Sequence, residues 1–101
     1  MNIWEDPVVQ SGILDYLEQK QLLASFTSMG GAALREGAQC HCSLPEHVGN
    51  EVIVLCQFDF EELVPFGAAG DQRLRQQGQV HVRLDANGQV SDAWLCRPGS
   101  C

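Results

Sequence analysis

Residues 51–60, EVIVLCQFDF, form the longest uninterrupted β-forming run in the chain, and this run constrains the fold more than any other stretch. Five consecutive apolar residues, Val52 to Cys56, leave its first half without a polar side. Such a run is typical of a central strand that is covered on both faces. From Cys56 to Phe60 apolar and polar residues alternate, which predicts one buried face and one face in water.

The length of the chain allows one hydrophobic core. Its 101 residues are enough for a single domain, residues 1–101, and too few for two. An apolar fraction of 45% is ordinary for a folded protein and argues against disorder. No stretch approaches the roughly 20 apolar residues of a membrane span, and the N-terminal residues do not predict a signal peptide.

An N-terminal helix is predicted by its start signal. Asp6 suits the N-cap and Pro7 the first helical position, and we expect the helix to run from Pro7 to about Phe26. One broad apolar stripe would cover a sheet and consists of Val9, Ile13, Tyr16, Leu17, Leu23 and Ala24. A second, narrower stripe flanks Asp15 and consists of Val8, Leu22 and Phe26. This stripe either packs against a loop of the same chain or is offered to another molecule.

Three segments surround the central run. Residues 30–37 are predicted to be a connection with a possible helical turn over 32–36, and residues 39–44 alternate as a half-exposed strand. Residues 45–50 would turn the chain back into the central strand. Residues 66–78 carry three glycines and three glutamines and predict either a short helix over 71–77 or a mobile loop.

A β-hairpin is the clearest local motif. Residues 80–84 alternate, Asp85 to Gly88 suits a type I turn with a glycine bulge, and residues 89–96 return. This register pairs Leu84 with Val90, Val80 with Trp94, and Val82 with Asp92. The last pair is unfavourable, because it places a carboxylate opposite an apolar side chain. A register that is shifted by one residue would instead place Asp92 in water. We expect residues 97–101 to be a frayed tail.

The predicted fold is therefore α+β. One long N-terminal helix packs on a small, mainly antiparallel four-stranded sheet, in the order helix, two strands, a short helix or loop, and two strands. Neither predicted edge strand, over residues 39–44 and 89–96, contains a proline or a lysine that would discourage pairing. Homodimerisation through an edge or through the helix is therefore expected.

Composition limits the compartment and the partners. Five cysteines, an odd number, without a signal peptide argue against a disulfide framework and favour free thiols in a cytoplasmic protein. The net charge of −7, from 13 acidic and 6 basic residues, disfavours direct binding to nucleic acid or to an anionic membrane. It favours a protein partner with a basic surface.

Cys40, His41 and Cys42 form the densest cluster of potential metal ligands. His47, Cys96 or Cys101 could complete a zinc site, but His41 points away from the two thiols in a regular strand. Cysteine nucleophiles are equally poorly supported, since Cys56 lies in the apolar run, where burial makes a thiol unreactive. Two sets of charged residues remain, the carboxylates Asp59, Glu61 and Glu62 and the basic residues Arg73, Arg75, His81 and Arg83.

These carboxylates are expected to form a solvated acidic rim around Phe58, Phe60 and Phe66. The arginines are expected to pair with carboxylates of this chain or of a partner, because no aromatic residues interleave with them as in a nucleic-acid site.

The sequence predicts a small, acidic regulatory protein of bacterial type that binds another protein, for example an antiactivator or an inhibitor of a nucleic-acid-binding protein. It predicts no enzyme and no cofactor. The expected contact residues are Val8, Leu14, Asp15, Glu18, Leu22 and Phe26. Two alternatives stay open: a zinc or thiol site on Cys40 and Cys42 with a histidine, and a small-ligand pocket between helix and sheet with Trp94 and Tyr16 as walls.

Overall fold

A computed structural model describes residues 2–95 and places one α-helix on one face of a four-stranded antiparallel sheet. The strands are β1 (Ala32–Val48), β2 (Glu51–Pro65), β3 (Asp71–Leu84) and β4 (Val90–Leu95), and they lie in this order across the sheet. The predicted α+β fold is confirmed, with β2 in the interior between β1 and β3. The predicted tail, residues 97–101, lies outside the described residues.

The helix α1 (Pro7–Gln19) starts as predicted and ends earlier. The Asp6 side chain accepts a hydrogen bond of 2.8 Å from the Val8 amide, which is the expected N-cap contact. Gln21 adopts a left-handed conformation, with φ of 60°. The amide of Leu22 then donates to the Leu17 carbonyl and that of Gln21 to the Glu18 carbonyl.

This pair of bonds is a Schellman motif, which ends a helix by satisfying its last free carbonyls. The motif usually has glycine at the left-handed position, so the sequence did not reveal it. The predicted continuation to Phe26 is therefore wrong, and a separate 3-10 turn (Leu23–Phe26) follows.

The edge strand β1 is longer than the predicted strand over 39–44. It begins at Ala32, where a connection with a helical turn was expected, and it pairs with β2 on both sides of two irregularities, between Leu34 and Gln39 and between Ser43 and Glu46. The second irregularity contains Pro45. The expectation that no edge strand holds a proline is therefore wrong, and Pro45 interrupts the pairing capacity of this edge.

Residues 71–78, predicted as a short helix or part of a loop, are instead the first half of strand β3, which pairs with β2 along its whole length. A 3-10 turn (Gly67–Ala69) joins the two strands, and Gly67 and Gly70 both have positive φ. The apolar alternation that marks a strand is weak here, since the residues on the helix side are Gln72, Leu74, Gln76 and Gly78.

The predicted turn of the second hairpin is confirmed, while its register is partly wrong. Asp85 accepts hydrogen bonds from the amides of Asn87 and Gln89, and Gly88 has φ of 82°. Leu84 pairs with Val90 as predicted. A shift next to Leu84 then pairs Val82 with Ala93, Val80 with Leu95, His81 with Trp94, and Arg83 with Asp92.

The core lies between α1 and the sheet. Even-numbered residues of β2 point toward the helix, and Val54, Cys56 and Phe60 are fully buried. The opposite sheet face carries the odd-numbered residues of β2 and β3, and none of the described helices lies over it; we call it the open face. The prediction that the central run is covered on both faces is therefore wrong, although Leu55 on the open face is only 9% exposed.

Candidate functional site

The six residues that were expected to contact a partner do not form one surface. Leu14 is 3% exposed and belongs to the core, while Leu22 and Phe26 are partly buried and pack against it. The expected contact surface is therefore corrected for these three residues. Those that stay exposed are Val8, Asp15 and Glu18.

Phe26 shows why part of the second apolar stripe faces inward. Its ring packs edge-on against Phe58, with 4.9 Å between the ring centroids, and it lies directly over Gly78. The early end of α1 turns this segment back onto the sheet, so Leu22 and Phe26 of the stripe are covered by the same chain, while Val8 stays exposed. Asp15 is also engaged internally, in an ion pair of 2.8 Å with Arg35 of β1.

Three thiols meet on the helix side of β1 and β2. Cys42 and Cys56 are directly opposite each other, both buried, with their Sγ atoms 2.9 Å apart. Cys40 is half-buried and its thiol donates to the Gln10 carbonyl of α1 at 3.5 Å. The register thus brings Cys56 to the predicted pair.

The environment of Cys40 and Cys42 suppresses the thiolate form of these two residues. The hydrogen bond with Cys42, followed by burial, raises the pKa of Cys40 above its ordinary range. For Cys42 the hydrogen bond with Cys40 favours the thiolate, but the contact with Cys56 and burial outweigh it and raise the pKa of Cys42 to about 12. At neutral pH these two residues are therefore protonated and poor nucleophiles.

The histidines do not join the thiols. His41 pairs with Gln57 on the open face, and the ring of His47 packs against Trp4, 6.0 Å between centroids. Over residues 2–95 there is no group of three or more His, Cys, Asp or Glu side chains that could hold a metal ion. Cys96 and Cys101, named above as possible ligands, lie outside that range.

A shallow groove of about 570 Å³ crosses the open face. It runs over the middle of β1, β2 and β3. At Cys40, Phe58 and Gly78 the Cβ position is on the helix side of the sheet, so these residues place no side chain in the groove. Its sides carry amide, imidazole and carboxylate groups, from Gln39, His41, Gln57, Asp59, Gln77 and Gln79. The groove does not lie between helix and sheet, where a small-ligand pocket was expected. The two predicted walls of that pocket are also far from forming one, because Trp94 is on the open face and Tyr16 is on α1, beneath Lys20.

Every arginine in residues 2–95 forms an ion pair with a carboxylate of the same chain. On the open face the pairs are Arg73–Glu61, Arg75–Asp59 and Arg83–Glu51, and the fourth is Arg35–Asp15. The expected pairing within the chain is therefore confirmed. The positive charge of this face is locally neutralised, and its additional carboxylates Glu46, Asp71 and Asp92 form no ion pair with an arginine in residues 2–95.

Trp94 is the large aromatic side chain of the open face. It is 39% exposed, and its ring stacks on His81 with 5.6 Å between centroids and an interplanar angle of 22°. Leu55 lies next in the same cross-strand row. This row lies next to the groove residues Gln57 and Gln79, two residues away along β2 and β3, and gives the open face an apolar margin.

The expected acidic rim is split between the two faces of the sheet. Asp59 and Glu61 lie on the open face, whereas Glu62 points toward the helix and is fully buried. Phe58 and Phe60 are also buried and only Phe66 of the three phenylalanines is exposed, so the acidic rim does not form around them. The burial of Glu62 was not predicted, although extending the alternation of Phe58 and Phe60 by two residues would have placed it on the buried face.

No protein-family model matches the chain, and no curated protein or solved structure matches it either. Among the described residues no helix has both the length and the apolar character needed to cross a membrane.

Proposed function

We propose that this protein is a non-catalytic regulator that binds another protein through the open face of its sheet. The partner carries a basic surface, as does a nucleic-acid-binding protein, and the chain acts on it as an antiactivator or inhibitor. The exposed Trp94 on a sheet face that no described helix covers is the observation that carries this proposal.

Tryptophan supports this choice of surface because it is enriched among the residues that dominate binding energy at protein interfaces. Stacking on His81 limits the rotamers of the Trp94 side chain, so binding would cost little side-chain entropy. Leu55 and the half-buried Ile53 extend the apolar area at its base.

Charge supports the nature of the partner. The three arginines of the open face are occupied by Glu51, Asp59 and Glu61, and Glu46 and Asp71 form no ion pair with any residue in the range 2–95. Together with a net charge of −7, this arrangement attracts basic surfaces and repels phosphates. We further expect a cytoplasmic location, from the cysteine usage, and homodimerisation remains part of the proposal.

The polar groove favours a second candidate, the binding of a small polar ligand. Its amide groups, such as Gln57 and Gln79, can each donate and accept hydrogen bonds, and its volume of about 570 Å³ lies in the range of small-molecule sites. An uncharged ligand with several hydroxyl or amide groups would suit this lining.

The test compares the two sides of the molecule. Partners are captured from the producing cells with three tagged proteins, the wild type, Trp94→Ala and Val8→Asp. The captured protein is then purified, and its affinity for each of the three is measured at two salt concentrations. We expect a basic partner whose affinity falls at least about tenfold with Trp94→Ala, falls with salt, and is unchanged by Val8→Asp. Circular dichroism confirms that both variants fold.

Loss of binding with Val8→Asp alone would move the contact to α1 and contradict the open-face proposal. If no protein is captured and a small molecule copurifies with the wild type, the second candidate function replaces the first.

A further inference from the structure

Cys42 and Cys56 occupy directly opposed positions on β1 and β2. Opposed residues in antiparallel strands have Cα atoms about 4.5–5.5 Å apart. Disulfides span Cα separations of roughly 4.4–6.8 Å, so this position in the ladder suits a covalent bridge. The two Sγ atoms already touch, at 2.9 Å, with both side chains on the helix side of the sheet.

We propose that Cys42 and Cys56 are a dithiol that is reversibly converted to a cross-strand disulfide by a small-molecule disulfide such as oxidised glutathione. One protein thiolate attacks the oxidant, forms a mixed disulfide and releases one thiol. The second protein thiolate attacks the protein sulfur of that mixed disulfide and releases the other thiol. The two cysteines lose two electrons and two protons, which the oxidant takes up as it becomes two thiols.

The reduced pair is protected rather than reactive. Cys42 is 3% exposed and Cys56 is 0% exposed, so the oxidant reaches them only when β1 opens locally. β1 is an edge strand, and its pairing with β2 is already interrupted between Ser43 and Glu46, next to Cys42. The raised pKa of Cys42 slows the exchange further, so we expect oxidation over hours.

Cys40 provides a natural control within the same cluster. It lies two residues from Cys42 on the same strand, opposite Phe58, and its thiol is directed to the Gln10 carbonyl. Residues two apart on one strand are about 6.5–7 Å apart, at the limit of what a disulfide spans. A bridge between Cys40 and Cys42 would therefore strain β1.

The bridge would lock the edge strand to the centre of the sheet. Cys42 and Cys56 are separated by 14 positions and enclose the turn between β1 and β2. Closing a loop of this length restricts the unfolded chain and is expected to raise Tm on the order of 10 °C. Opening of β1 would then be suppressed.

The experiment incubates the full-length protein in glutathione buffers of increasing oxidised fraction, followed by blocking of free thiols and digestion with a Glu-specific protease. Cleavage after Glu36, Glu46, Glu51 and Glu61 separates residues 37–46 from 52–61. We expect one cross-linked species of these two peptides, two hydrogens lighter than their sum, and fragmentation that places the bond on Cys42. Reduction by dithiothreitol should restore the separate peptides.

Matched variants sharpen the assignment. Cys40→Ser should form the cross-link to the same extent as wild type, whereas Cys42→Ser and Cys56→Ser should not form it. A disulfide of Cys40, Cys96 or Cys101 in place of the Cys42–Cys56 bond, or free thiols at the most oxidising ratio after several days, would overturn the proposal. The peptide map of the wild-type protein decides the question even if a variant fails to fold.

Discussion

The buried carboxylate of Glu62 accepts a hydrogen bond of 2.7 Å from the backbone amide of Gly31. The amides of Ser28 and Met29 donate to the same carboxylate at 2.9 and 3.1 Å, and the Gln76 side chain donates at 2.9 Å. A carboxylate on β2 thus holds the loop that joins the 3-10 turn Leu23–Phe26 to β1. Burial would raise the pKa of Glu62, but these hydrogen bonds outweigh it and hold the pKa below its ordinary value.

Replacing Glu62 with Gln should destabilise the protein strongly. Both oxygens of Glu62 accept amide hydrogens, so the NH₂ group of a glutamine would face at least two donors in either orientation. Urea denaturation should show a clearly lower midpoint. The control is Glu61→Gln on the open face, where the ion pair with Arg73 at 3.6 Å is largely solvated and worth little. Equal effects of the two substitutions would contradict this role of Glu62.

Acid should remove the contribution of Glu62. The folded-state pKa lies below the ordinary value of 4.5, so the unfolded chain binds more protons than the folded one in this range. The contribution is complete above about pH 4.5 and is lost as the pH falls through the folded-state pKa. The difference in unfolding free energy between wild type and Glu62→Gln should therefore be constant from pH 6 to 7 and shrink below 4.5. A constant difference down to pH 3 would contradict the lowered pKa.

Gly78→Ala should destabilise the sheet by about 1–3 kcal/mol through overpacking. A Cβ atom at Gly78 would lie 2.5 Å from Phe26 and 2.7 Å from Phe58, so one aromatic ring must move. Gly12→Ala is the matched control, because a Cβ atom there meets nothing within 4 Å and glycine inside a helix costs about 0.5–1 kcal/mol relative to alanine. The two substitutions should shift Tm in opposite directions, and a stabilising Gly78→Ala would refute the packing of Phe26 on this position.

The sequence predicted correctly those elements that are specified by interactions between residues close together in the chain. The Asp6 N-cap, the turn from Asp85 to Gly88 and the central strand β2 were predicted because hydrogen bonding or side-chain periodicity within a few residues specifies them. The α+β fold follows from these elements.

The two main failures have different physical causes. The end of α1 depends on a left-handed Gln21, which carries no glycine signal. The first half of strand β3 lacks apolar alternation because Gly78 leaves room for the ring of Phe26 and Gln76 reaches Glu62. Hydrogen bonds within residues 17–22 hold Gln21 without a glycine, whereas Gln76 and Gly78 suit their positions because of contacts with distant residues.

The candidate sites also contain features that the sequence predicts locally and features that depend on the tertiary structure. The sequence by itself determined that Cys40 and Cys42 share one strand face and that His41 lies on the other, because side chains alternate along a strand with period two. Only the tertiary structure decided that Cys56 sits opposite Cys42 and that Trp94 stacks on His81. The alternation is a property of the backbone, whereas these pairings depend on strand register, which is set by packing across the whole sheet.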